Sequence, residues 1–264
     1  MEAAEGRCVG VGVSLPGVVS PDGDATLVLP LGWEQVPFGA PLAEALWHAV
    51  PVGVEQDALL AAKSEFVWGA GSGLHRMLYL IARDHGVGGA VVGAGLLEGA
   101  HHPLQAGHIQ VRTDGKPCEC GSRGCLETYI DADAVRGVLQ EIGLPQEPLA
   151  EVVRGITGSP QRERFAELVV EPLRVGLVTL VNALGPDGVV LGGGLGILAE
   201  VFFPELERAV AGTVVARVRE VPLLRETASD PILRGAGLAA FGTLFRDPRE
   251  CGVNQHDRTM GARL

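Results

Sequence analysis

The chain has 264 residues, of which 47% are apolar and 20% charged, and this composition excludes a disordered protein. Its 21 basic and 32 acidic residues give a net charge of −11, which argues against DNA binding by this chain alone, because nucleic-acid-binding domains usually carry a basic face. The sequence lacks both a charge-free apolar run of about 18 residues and an apolar N-terminal signal segment. We therefore expect no membrane span and a cytoplasmic location.

Short apolar runs alternate with helical patterns in the first half of the chain. The run CVGVGVS is rich in valine and ends shortly before Pro16, as buried strands often do. Pro41 suits the first turn of a helix, and Gly69 suits the residue that follows one. Strands are predicted over residues 8–14, 24–30, 51–55, 76–82, 89–93 and 105–111, and helices over 41–50 and 56–69.

After Glu127 the apolar residues recur mainly at helical spacing. Pro172 falls inside the longest of these segments and predicts a kink there. The alternation of strands and helices along the chain indicates the α/β class. Helices are predicted over 131–142, 147–155, 160–184, from Pro204 onward and over 231–245, with strands at 188–191 and near 215–222 and a polar, Arg-rich tail at 247–264.

Three of the five cysteines lie close together in the sequence CECGSRGC, and a histidine precedes them in AGHIQV. Cys118, Cys120, Cys125 and His108 form a Cys₃His set, whose thiolate and imidazole donors are typical of a closed structural zinc site. An odd cluster in an acidic chain is a poor disulfide framework. The alternative interpretation is a group of buried free thiols beside an unrelated histidine.

Two glycine-rich segments adjoin predicted strands. GGGLG at 192–196 follows an apolar strand and precedes a helix, and GVGGA at 86–90 precedes a strand. Glycines at such positions let backbone N–H groups approach a phosphate or a nucleoside. A tight turn without a ligand explains either segment equally well.

Several segments taken together resemble the ROK family, which contains sugar kinases, sugar-responsive transcriptional repressors and uncharacterised open reading frames. They are LGW at 31–33, PVGVEQDA at 51–58, GVGGAVVGAGLLEGA at 86–100, GHIQVRTDGKPCECGSRGCLETY at 107–129 and VVLGGGL at 189–195. The resemblance implies an α/β, two-lobed fold of the actin, hexokinase and Hsp70 class, with ligands bound in the cleft between the lobes.

The resemblance also implies roles for individual residues. Asp57 corresponds to the family's general base, which takes the proton of the sugar hydroxyl. The residues implied to contact sugar are Gln56, Gln105, His108 and Glu127. The residues implied to contact a nucleotide, with Mg²⁺ accompanying ATP only if the chain is a kinase, are Gly86, Gly88, Gly89, Gly192, Gly193 and Gly194.

Three departures from the kinase pattern are present. The family's kinases begin with a strand and a DxGxT turn that binds phosphates, and no such segment occurs here, so we expect an incomplete N-terminal lobe unless residues precede Met1 in the natural product. Gln56 and Leu59 replace two asparagines. Gln105 replaces a glutamate, and a neutral hydrogen bond to a sugar hydroxyl is about half as strong as a charge-assisted one.

The resemblance predicts a domain organisation and a set of partners. Residues 1–56 are expected to form the partial N-terminal lobe and residues 57–230 the C-terminal lobe, with the zinc loop at 107–127. Residues 231–246 are expected to return to the N-terminal lobe as a helix, followed by the tail at 247–264. The implied partners are a small-molecule sugar and further copies of the chain, in a dimer or tetramer.

Three functional hypotheses follow. The first is the effector body of a sugar-responsive regulator, in which sugar binds without being phosphorylated. The second is an ATP-dependent sugar kinase with Asp57 as its base. The third is a fragment with neither activity. The missing DxGxT turn and the altered Gln56, Leu59 and Gln105 favour the first hypothesis.

Overall fold

The computed structural model describes residues 8–48, 50–93 and 102–246. The predicted tail at 247–264 lies outside this part of the chain, and so do residues 94–100 of the segment 86–100 that resembles the ROK family. The strands are β1 Val11–Leu15, β2 Val18–Val19, β3 Ala25–Val28, β4 Trp33–Val36, β5 Val52–Gln56, β6 Arg76–Ala82, β7 Val87–Gly93, β8 His102–Leu104, β9 Gly188–Gly193 and β10 Leu223–Arg225. The α-helices are α1 Gly39–Ala45, α2 Asp57–Trp68, α3 Glu127–Ile130, α4 Ala132–Glu141, α5 Leu149–Gly155, α6 Arg162–Phe165, α7 Glu171–Leu184, α8 Gly194–Ala211 and α9 Pro231–Arg246.

The chain divides into two compact units, one formed by Met1–Ala61 with Asp230–Leu264 and the other by Ala62–Ser229. In the first unit, β1 and β5 pair in parallel, and β2, β3 and β4 form an antiparallel sheet. Helix α9 packs closely on β1: a Cβ added at Gly12 would lie only 1.8 Å from the Ala236 carbonyl oxygen. Glycines on the strand therefore let the helix backbone approach the sheet.

The second unit is built on a mixed sheet in the order β10-β9-β6-β7-β8. The strands β10, β9 and β6 run parallel, whereas β6–β7 and β7–β8 are antiparallel pairs. Apolar side chains of the sheet and of helices α3, α4, α5, α7 and α8 form one continuous core. Two of its aromatic members, Phe165 and Phe202, stack with their ring centres 5.8 Å apart.

Four predicted elements differ from the structure. The strand predicted at 105–111 is wrong: Ala106–His108 form a 3₁₀ turn closed by the His108 N–H on the Gln105 carbonyl. The strand predicted near 215–222 is also wrong, because Val215–Arg217 form another 3₁₀ turn and the strand is β10. The other two differences concern helices α7 and α8.

A π-helical turn at Ala166–Val170 separates α6 from α7 within the segment predicted as one helix. Pro172 lies in the first turn of α7, where its missing N–H removes no hydrogen bond of that helix. Helix α8 begins at Gly194, in the glycine segment that was predicted to precede a helix, and it continues through Pro204, where a further helix was predicted. It bends at Phe202, whose φ of −118° and ψ of 28° are not helical, and Pro204 follows this bend. Within the described residues, no helix is both long and apolar enough to span a bilayer.

Candidate functional site: a Cys₃His cluster with an attached carboxylate

The predicted ligand atoms of His108, Cys118, Cys120 and Cys125 all lie within 4.8 Å of one another. The sulfur atoms of Cys120 and Cys125 are 3.7 Å apart, and Cys118 Sγ is 3.6 Å from His108 Nδ1. A tetrahedral zinc ion with Zn–S bonds of about 2.3 Å and a Zn–N bond of about 2.0 Å would place its sulfurs about 3.8 Å apart, with nitrogen and sulfur about 3.5 Å apart. The four side chains can therefore hold a metal ion with that geometry.

The backbone between the ligands is held by short-range hydrogen bonds. The Cys118 N–H donates to the Ser122 carbonyl, and the Gly124 N–H donates to the Lys116 carbonyl. Gly124 has a φ of +69°, and a Cβ there would lie 1.6 Å from the Arg112 carbonyl oxygen, so glycine is required at this position. This turn brings Cys118 and Cys120 back towards Cys125 and His108.

Glu127 begins α3 directly after the cluster, and its carboxylate contacts two of the cluster's ligands. Its Oε1 accepts a hydrogen bond from the Cys118 thiol at 2.9 Å and lies 3.2 Å from His108 Nδ1. Burial acts to raise the pKa of Glu127, but the hydrogen bonds from His108 and Cys118 outweigh it and lower the pKa below its usual value. The cluster thus fixes an ionised carboxylate beside the imidazole.

The protonation chemistry of the metal-free cluster follows from the same contacts. The hydrogen bond with Glu127 raises the pKa of His108, and burial raises the pKa of the Cys118 and Cys125 thiols. The backbone hydrogen bond of Ser122 lowers the pKa of Cys120. A bound metal would require three thiolates and a neutral imidazole, so its binding would release protons.

The other predicted sugar contacts are distributed over both units. In the second unit, Gln105 is exposed and its carbonyl accepts the His108 N–H. In the first unit, Gln56 ends β5 with 5% of its surface exposed, and its buried Oε1 has no hydrogen-bond partner among the described residues. Asp57 begins α2, where its Oδ1 accepts the Ala58 N–H at 2.7 Å.

The six glycines predicted to bind nucleotide occupy two strand ends of the second unit. Gly86 lies in the β6–β7 turn with a φ of +85°, whereas Gly88 and Gly89 lie within β7 and pair with β6. Gly192 and Gly193 end β9, and Gly194 opens α8.

Two carboxylates that the sequence analysis did not single out bind these glycine segments. Asp131 Oδ2 accepts the Gly86 N–H at 3.2 Å, and its Oδ1 accepts the Ala134 N–H at 2.7 Å as the N-cap of α4. The Glu226 carboxylate accepts the Tyr79 hydroxyl, and its Oε2 lies against Gly192, where an added Cβ would be 2.4 Å from it. An N-cap signal before α4 could have identified Asp131, but no sequence pattern identifies Glu226.

Comparison with known proteins defines the class. The chain superposes on the ROK hexokinase of Thermus thermophilus with a TM-score of 0.70 and 28% identity, over 90% of this chain and 80% of that one. It therefore has the actin/hexokinase-like ATPase fold.

Sequence comparison then gives the family. The ROK family model matches residues 1–238, so the chain belongs to the ROK family. It is 30% identical over 232 residues to the glucokinase of Halalkalibacterium halodurans, covering 80% of this chain and 69% of that one. It is 27% identical over 220 residues to the DNA-binding transcriptional repressor Mlc of Escherichia coli, covering 77% of this chain and 53% of the repressor. The expectation from sequence is thus confirmed at the level of fold and family, and the relatives include both kinases and regulators.

Proposed function

We propose that the chain is the sugar-binding, zinc-stabilised effector body of a ROK-family transcriptional regulator and does not phosphorylate its sugar. The observation that carries this proposal is the state of the glycine segments. The Gly86 N–H already donates to the Asp131 carboxylate, and the Glu226 carboxylate lies against Gly192. A nucleotide phosphate at the first segment would lose that donor, and at either segment it would lie beside a carboxylate, so both effects oppose ATP binding.

The sugar is proposed to bind at the face of the metal cluster. Because His108 Nδ1 points towards Cys118, its Nε2 is the ring nitrogen left to meet a sugar hydroxyl. Glu127 begins α3 beside the cluster, and its carboxylate is a strong acceptor of hydroxyl hydrogens. Zinc would serve as a structural ion that orients His108 and the turn leading into Glu127, with Gln105 of the same unit as a further contact.

The second candidate function is an ATP-dependent hexose or N-acetylhexosamine kinase. The position of Asp57, at the start of α2 directly after β5, favours it, since its carboxylate is a candidate base for a sugar hydroxyl. The 30% identity to a glucokinase favours it as well. In this case ATP and Mg²⁺ would be required.

The experiment is a paired binding and turnover measurement on the zinc-loaded chain. Glucose, N-acetylglucosamine, N-acetylmannosamine, fructose and xylose are each tested for a thermal shift and, with ATP and Mg²⁺, for ADP release. We expect one sugar to raise the melting temperature of the native chain without ADP release, and Glu127→Gln to abolish that shift. Light scattering of the same samples measures the oligomeric state, because a dimer or tetramer is expected.

The outcomes separate the hypotheses. Sugar-dependent ADP release that disappears in Asp57→Asn would establish the kinase and contradict our proposal. A chain that folds and retains zinc but shifts with none of the sugars would contradict both functions and leave the fragment hypothesis.

A further inference from the structure

A cavity of about 430 Å³ within the second unit is lined in part by residues 112–116 of the metal loop, the segment 107–127 that carries the Cys₃His cluster. Its wall combines two cationic side chains, two acidic ones and an apolar surface. The lining residues are Arg112, Asp114, Gly115, Lys116, Tyr129, Val138, Glu141 and Leu168. Its size suits a small organic molecule.

Two cations converge on one aromatic ring in this cavity. The guanidinium carbon of Arg112 lies 5.2 Å from the centre of the Tyr129 ring, and Lys116 Nζ lies 5.3 Å from it. Tyr129 is buried, and its hydroxyl accepts the backbone N–H of Lys116 at 3.1 Å, which fixes the ring against the loop. Both cationic groups therefore lie close to the Tyr129 ring, which lines the same cavity.

Neither cation is neutralised by a carboxylate in the part of the chain that the structure describes. Arg112 donates to the backbone carbonyl of Glu167 at 3.1 Å, and Lys116 Nζ forms no ion pair there. The acidic Glu141 is instead paired with Arg164 at 3.0 Å. The chain as a whole has a net charge of −11, whereas Arg112 and Lys116 give this cavity two positive charges.

We propose that this cavity binds a small organic molecule through a phosphate monoester. A planar guanidinium and an ammonium match the two negative charges of a phosphate dianion, and arginine can donate two hydrogen bonds to it. The apolar surfaces of Val138 and Leu168 suit the carbon skeleton of the ligand, and Asp114 offers an acceptor for a hydroxyl of that skeleton.

Residues that line the cavity lie in the same segment of the chain as the Cys₃His cluster, so binding at one site can affect the other. Arg112 and Lys116 lie between the ligands His108 and Cys118, and Tyr129 follows Glu127 by two residues. A ligand that fastens both cations would restrain this loop. We therefore expect the phosphate ester to slow the loss of metal to a chelator.

The test uses the lysine content of the chain. Lys63 and Lys116 are its only lysines, and Lys63 is buried with 6% of its surface exposed, whereas Lys116 is exposed. An amine-acylating reagent should therefore label Lys116 much faster than Lys63, and mass spectrometry reads the rate. The probes are glucose 6-phosphate, inorganic phosphate and glucose, applied to the zinc-loaded full chain.

We expect glucose 6-phosphate to slow acylation of Lys116 several-fold, and glucose to have no effect. Arg112→Gln should abolish this protection and weaken calorimetric binding of the ester by about tenfold or more. Lys116→Gln should weaken binding similarly. The matched control is Arg217→Gln, which removes the same charge from an exposed position outside the cavity and should leave protection unchanged.

Three results would overturn the proposal. They are equal protection by glucose, protection that survives in Arg112→Gln, and no protection by the ester up to about 5 mM. If inorganic phosphate protects Lys116 at concentrations as low as the ester does, the claim that the organic skeleton contributes to binding is contradicted. Metal content is measured in each variant, so that loss of the loop's fold is distinguished from loss of the cations.

Discussion

Cys125 is the fully buried member of the metal cluster, whereas Cys8 is exposed and lies outside the cluster. We predict that Cys125→Ser lowers the affinity for zinc by more than about tenfold and lowers the melting temperature, because a hydroxyl is a poor substitute for a thiolate ligand. Metal analysis after dialysis and thermal unfolding measure the two effects. Cys8→Ser is the control and should match the native chain; one tightly bound zinc per Cys125→Ser chain would contradict the assignment.

Gly124 and Gly137 provide a matched pair of glycine-to-alanine substitutions. At Gly124, φ is +69° and a Cβ would collide with the Arg112 carbonyl, so Gly124→Ala should lower the free energy of unfolding by about 2 kcal/mol or more. At Gly137, inside α4, a Cβ would meet nothing within 4 Å. Gly137→Ala should raise that free energy by about 0.5–1 kcal/mol, because alanine favours helix. Urea unfolding measures both, and equal effects would refute this argument.

At the scale of helices and strands, the correct predictions are those in which the local pattern of residues determines the conformation. The strand at 76–82 has the predicted bounds, and α2, α4 and α5 end within two residues of their predicted ends. The errors occur where distant contacts decide. The apolar run at 105–111 looks like a strand, but the segment must turn to bring His108 to the cysteines, and Ile109 and Val111 pack instead against the core.

The same distinction holds for the candidate site. The Cys₃His cluster was predictable because its cysteines and the histidine before them lie within one short segment, and the structure brings their donor atoms together. Asp131 could be predicted as an N-cap but not as a partner of Gly86, and Glu226 could not be predicted at all, because the contact that each makes with a glycine segment exists only once the sheet and helices have assembled. The predicted role of Asp57 stays a prediction, because it concerns a reaction rather than a local geometry.

The β9–α8 turn carries a pH dependence through Glu226. Burial raises the pKa of this carboxyl above its ordinary value of 4.5, although the hydrogen bonds from Tyr79 and Gly193 oppose the rise. The folded chain therefore holds this proton more tightly than the unfolded chain does. Between the ordinary and the raised pKa the folded state binds more protons, so the free energy of unfolding falls as pH rises through this window.

We predict that Glu226→Gln reduces this fall, because glutamine keeps a side-chain acceptor for the Tyr79 hydroxyl but has no titrating group, whereas Asp131, whose pKa burial also raises, still titrates. Urea unfolding at pH values from about 4 to 7 measures the slope in both proteins. Glu220→Gln, at an exposed carboxyl, is the matched control and should keep the native slope. A native slope in Glu226→Gln would show that other groups produce the pH dependence.

At the scale of the whole molecule, charge sets what the chain can bind by itself. Its net charge is −11, and only two of its 21 basic residues are lysines. DNA affinity depends on releasing counterions from phosphates through a cluster of basic side chains, and an acidic surface repels the duplex instead. The cations of the Arg112–Lys116 cavity are too few to offset this repulsion.

We therefore predict that the chain alone does not bind a labelled duplex of about 30 base pairs at about 50 mM salt, where electrostatic binding is strongest. Fluorescence anisotropy at protein concentrations up to about 10 µM measures this, with and without the sugar that gives a thermal shift. The sugar arm matters because a regulator's effector body should respond to sugar in its own stability while remaining unable to hold DNA. A saturable rise in anisotropy whose affinity falls linearly with the logarithm of salt concentration would contradict this prediction and would place a basic DNA-contacting surface within the 264 residues themselves.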